Sequence, residues 1–140
     1  MNILVIIVNF LATVFLMACA APPAKPVTLI FERSGGFAGL SDRLEINLTT
    51  GMTRLEQGTT VITTTISSAQ RSSLQTLISG LDLASLAAMP SPPNQCCDLI
   101  TYRIQIDTTI IHATDADLPV TLQPLVSALN AMIAEISSSS

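Results

Sequence analysis

A chain of 140 residues with a formal charge of −4 at pH 7 has room for one domain once its apolar N-terminus is set aside. Every charged residue lies beyond Cys19, and no Lys/Arg cluster occurs. That argues against nucleic-acid binding and against attraction to anionic lipid headgroups.

Residues 3–18 are apolar apart from Asn9 and Thr13. The run is shorter than the roughly 20 residues that span a bilayer core, and it ends in small residues, as an export signal does. Leu16-Met17-Ala18-Cys19 resembles the lipobox of bacterial lipoproteins, in which the cysteine becomes diacylglycerylated and forms the first mature residue. On this reading residues 1–18 are a signal peptide and Cys19 is the lipid acceptor. Residues 20–26, rich in proline and alanine, are an extended tether. Two acyl chains suffice for stable attachment, so the domain would sit at the cell envelope, outside the cytoplasm, with lipid as its membrane contact. Ala18-Cys19-Ala20 also fits an ordinary small-x-small cleavage site. No Lys or Arg precedes the apolar run, which keeps an uncleaved signal anchor open.

The domain proper is expected over residues 27–136, followed by a polar tail at 137–140. Val27 to Arg33 is β-branched and aromatic and reads as a strand. A glycine-rich connection follows from Ser34 to Gly39. Leu44, Ile46 and Leu48 then alternate with polar residues, the pattern of a half-buried strand. Thr59 to Ile66 has strong β propensity and is a candidate extra strand. Ser67 and Gln70 have capping-box spacing, and Leu74, Leu77, Ile78 and Leu81 fall on one helical face. Gly80 is read as a left-handed stop, with a loop from Met89 to Asn94 beyond it.

The second half repeats the order. Ile100, Tyr102, Ile104 and Ile106 alternate with polar residues, and a turn near Asp107 to Thr109 leads into Ile110 to Thr114. Pro119 and Pro124 mark the approach to a helix whose apolar stripe is Leu125, Val126, Leu129, Met132, Ile133 and Ile136. The expectation is an α+β fold in the order ββαββα. It has a mostly antiparallel four-stranded sheet, one candidate extra strand, and two helices on one face.

Reaction chemistry is hard to assemble from these residues. His112 is the single histidine, which excludes any site needing two imidazoles, and no Gly-x-Ser-x-Gly elbow occurs. With Cys19 lipidated, Cys96 and Cys97 remain. They can close a strained vicinal disulfide, stay reduced, or pair between molecules. Adjacent cysteines lack the two-residue spacer of zinc motifs, so neither a metal nor a cofactor is expected, and no enzyme. The most unusual stretch is Arg33-Ser34-Gly35-Gly36-Phe37-Ala38-Gly39-Leu40. Composition alone favours a wide turn with Phe37 tucked onto the core. The alternative presents Phe37 outward, on a loop that docks into a partner.

A strand reaching Glu32-Arg33-Ser34-Gly35-Gly36-Phe37-Ala38-Gly39, an Asp-x-x-x-Tyr strand from Asp98 to Tyr102, and a closing leucine-rich helix together resemble the emfourin family. Emfourins are small bacterial inhibitors of thermolysin-type metallopeptidases such as protealysin. The resemblance implies an antiparallel sheet with helices, a peptidase partner, and Arg33 to Leu40 as the partner-binding loop. The expected function is a lipid-anchored peptidase inhibitor. The alternative is a structural or ligand-binding envelope lipoprotein that keeps the fold without inhibiting.

Overall fold

The computed structural model describes residues 27–91 and 98–139. Its elements run β1 (Thr28–Gly35), β2 (Leu40–Asn47), β3 (Met52–Gln57), β4 (Thr60–Thr65), α1 (Ser68–Ser79), α2 (Leu83–Ala87), β5 (Ile100–Ile106), β6 (Thr109–Thr114) and α3 (Gln123–Ser138). The strands form one sheet in the order β4-β3-β2-β1-β5-β6, every neighbouring pair antiparallel.

The α+β class and the antiparallel sheet stand. The expected count of four strands and two helices does not, because the described residues hold six strands and three helices. Thr60–Thr65 is a full strand. Met52–Gln57 was not anticipated, because only Thr53 and Leu55 point inward and one of them is polar. The fully buried Thr53 hydroxyl donates to the Gly51 carbonyl at 3.0 Å, which removes the cost of placing it there. Helix α2 has five residues, too few to show a period. Its sequence signal is its cap, since Asp82 accepts from the Ser85 amide and hydroxyl. These same bonds hold the Asp82 carboxyl below its ordinary pKa.

Alternation builds the core. Leu29 and Phe31 on β1 face Ile46 and Leu44 on β2, and Ile106 and Ile104 on β5; none is more than 2% exposed. Phe31 stacks on Tyr102 with ring centroids 5.8 Å apart. All six apolar stripe residues of α3 are buried, and Leu74 and Ile78 of α1 join the same cluster. Each fully buried Leu, Ile or Phe side chain contributes roughly 1.5–3 kcal/mol. Ser67 and Gln70 form the capping box, each side chain bonding the other's amide. Gly80 does end α1, but at φ −84° and not in the left-handed region; its amide closes the last turn onto Thr76 and Leu77. Pro124 lies in the first turn of α3, where no intrahelical donor is lost.

The other sheet face is polar. His112, Arg103, Glu32, Arg43 and Glu56 stand side by side across β6, β5, β1, β2 and β3. Glu32 accepts from Arg103 at 3.1 Å and from Arg43, so one carboxylate joins three strands. Opposite signs alternate along the carboxylate and guanidinium row, and like charges never meet directly, which makes this a stable solvated face.

Candidate functional site

The β1–β2 hairpin is the most exposed apolar feature of the domain. Strand β1 continues through Gly35 and β2 begins at Leu40, so the connection narrows from the expected Ser34–Gly39 to residues 36–39. The Gly39 amide closes a turn onto the Gly36 carbonyl at 3.0 Å, with Phe37 and Ala38 at its corners. Phe37 is 99% exposed. The expectation that it tucks onto the core is therefore corrected. Its neighbours at the turn, Gly36, Ala38 and Gly39, are short or lack side chains and offer the ring nothing to pack on.

Two features hold this tip in place. Gly35 adopts φ +92°, and a Cβ there would lie 2.6 Å from the Leu99 carbonyl oxygen, so only glycine fits. The adjacent Gly36 amide donates to that same carbonyl at 3.1 Å, tying the hairpin to the entry of β5. On the core side, Arg33 pairs with Asp42 at 2.5 Å and donates to Asn130 Oδ1 of α3 at 2.8 Å. Gln57 donates to the second Asp42 oxygen at 3.0 Å. The Asp42 side chain is only 6% exposed, and a buried carboxylate needs such partners. The hairpin base is thus braced against β3 and α3.

The eight expected loop residues consequently divide. Ser34, Gly35, Phe37, Ala38 and Gly39 are exposed at the tip or just beneath it; Gly36 and Leu40 are half-buried; Arg33 is committed to the brace. Asp42, Gln57 and Asn130 were not singled out from sequence. A signal existed, because Arg33 is in phase with Leu29 and Phe31, and Asp42 with Leu44 and Ile46. Two opposite charges at inward positions of paired strands mark an internal ion pair. Beside the brace, a shallow polar depression of about 290 Å³ lies between the hairpin and the β3–β4 turn, lined by Ser34, Ser41, Arg43, Glu56 and Gly58 among others.

His112 and two aspartates that follow β6 sit apart from the hairpin. His112 is exposed at the end of the charged row, next to Arg103. Asp115 accepts from the Ile100 amide at 3.2 Å, and Asp117 accepts from the Thr114 amide and hydroxyl, both at 2.6 Å. The bonds from Thr114 hold the Asp117 carboxyl below its ordinary pKa. These aspartates terminate β6. Cys19, Cys96 and Cys97 lie outside the described residues, as do the apolar N-terminus and the tether.

The tip is thus apolar, projecting and held by a braced sheet. The sequence model of the Emfourin family matches residues 49–130, more than half of the chain. The chain belongs to the emfourin family, a family of peptidase inhibitors. The matched span includes the Asp98 to Tyr102 motif and begins after the Glu32 to Gly39 motif. No curated protein matches the sequence.

Proposed function

We propose that this domain inhibits a thermolysin-type metallopeptidase by inserting the β1–β2 hairpin tip into the enzyme's cleft. The observation that carries the reading is the near-complete exposure of Phe37 on a braced hairpin in an emfourin-family chain. Such clefts prefer a bulky apolar side chain just after the scissile bond, and Phe37 is the large apolar residue best placed to enter one. The glycines beside it leave the backbone free to approach an enzyme surface closely. Preorganisation favours tight binding, because a tip already held by Gly35, Gly36 and the Arg33–Asp42 pair loses little freedom on docking.

The test is a titration. Residues 24–140, produced without the N-terminal segment, should abolish the activity of a thermolysin-type peptidase at a defined stoichiometric point. Unchanged activity under a large excess, with every such peptidase tried, including any encoded beside the gene, would leave the envelope-binding alternative in its place.

The same proposal holds the domain to a membrane through lipid on Cys19, on the extracytoplasmic side of the cell envelope. The lipobox-like Leu16-Met17-Ala18-Cys19 supports it, and so does the placement of the domain's first residue. Asp107 accepts from the Val27 and Thr28 amides, fixing the start of β1 at the end of the sheet remote from Phe37. Eight strand residues separate the two ends, about 25 Å. An anchor on the N-terminal side would therefore leave the tip directed away from the bilayer. Cys19→Ser should abolish incorporation of a labelled fatty acid; equal labelling of variant and wild type would exclude acylation at Cys19.

A further inference from the structure

The two edges of the sheet are built differently. In β6 the closing pair of the hairpin is Ile106 and Thr109, so Ile110, His112 and Thr114 direct their backbone groups outward. That edge is guarded, because the outward amide of Thr114 is taken by Asp117, and Asp115 stands beside it. Acidic caps of this kind stop a further strand from adding.

Strand β4 has no such guard among the described residues. Its hairpin closes at Gln57 and Thr60, and the Ile66 amide turns inward to Gly51 at 2.9 Å. By alternation, Val61, Thr63 and Thr65 present their amides and carbonyls outward. The strand contains no proline and no charge, and the chain carries no charged residue from Gln57 to Gln70. Val61 is 52% exposed, and every strand residue except Ile62 is exposed. A neutral, proline-free, threonine-rich edge is the form that pairs with another strand.

We propose that β4 pairs antiparallel with β4 of a second copy of this chain, about a twofold axis at Thr63. The occupant follows from self-complementarity. A charged partner strand would find no opposite charge on this edge, whereas an identical one sets a β-branched residue against a β-branched residue at every paired position. The twofold places Thr63 against Thr63 of the second copy and Val61 against Thr65, each pair exchanging two backbone hydrogen bonds. On the core face it sets Ile62 against Thr64. Threonine–threonine and β-branched pairs are favourable cross-strand neighbours. The product is one continuous sheet of two domains, with both Phe37 hairpins left free, since β2 and β1 lie two and three strands inward from the shared β4 edge and their connection is at the strand ends.

The test uses the full-length chain in the cells that make it, in a Cys96→Ser/Cys97→Ser background. Directly opposed residues in this register lie about 5.5 Å apart at Cα, within disulfide reach. Thr63→Cys should give an oxidant-dependent dimer on a non-reducing gel, well above the band of the background protein. Val61→Cys and Thr65→Cys should cross-link when produced together and far less when produced singly. Thr59→Cys, in the β3–β4 turn and far from its own copy in this register, should remain monomeric. No dimer from Thr63→Cys, or one no stronger than that from Thr59→Cys, overturns the proposal.

Discussion

Gly35 shows how much a single position can decide. Its φ of +92° and the 2.6 Å approach of the Leu99 carbonyl leave no space for a methyl group and no relaxed backbone for one. Gly35→Ala combines backbone strain with a clash against main chain, each worth on the order of 1–3 kcal/mol. The expected result is a clear loss of stability in chemical denaturation, together with weaker inhibition, since the displaced segment carries the hairpin. Gly39 is the informative contrast: it also has positive φ, +61°, yet a Cβ there would meet nothing within 4 Å. Gly39→Ala should therefore cost less. Equal stability losses at the two positions would show that the contact with Leu99 is unimportant.

Among the elements, β5 and α3 were legible because their chemistry and their period agree. Ile104 and Leu129 are fully buried in the one core cluster, while Arg103 lies on the opposite sheet face, bonded to Glu32 and Gln105. Leu129→Ala should cost about 2–5 kcal/mol, and Arg103→Ala at most about 1 kcal/mol, because a half-exposed ion pair gains little over water. Equilibrium denaturation of both variants checks the register; a larger loss for Arg103→Ala would contradict it. Strand β3 hid because buried Thr53 looks polar until its hydroxyl finds the Gly51 carbonyl. Helix α2 hid because five residues carry no period. Within the candidate site, the glycine-rich turn was visible, but the orientation of Phe37 was not: composition cannot say whether an aromatic at a turn has anything to pack against. The brace of Asp42, Gln57 and Asn130 joins residues distant in sequence, and only folding brings Asn130 of α3 to Arg33.

For the whole molecule, polarity along β1 organises the account. The domain begins at one end of this central strand, pinned by Asp107, and presents the Phe37 tip at the other. The helices close one sheet face, and the alternating charges make the second a solvated surface. On the proposed function, the braced hairpin is the feature that enters the peptidase cleft, in a chain of the emfourin family. The central claim is that Phe37 supplies binding energy and no folding energy. Its most direct test compares the inhibition constants of wild type and Phe37→Ala against one thermolysin-type peptidase, with melting temperatures recorded on the same samples. An aromatic anchor at an interface centre contributes about 2 kcal/mol or more, so the account predicts inhibition weakened roughly thirtyfold or further and an unchanged melting temperature. Equal inhibition constants for the two proteins would contradict it.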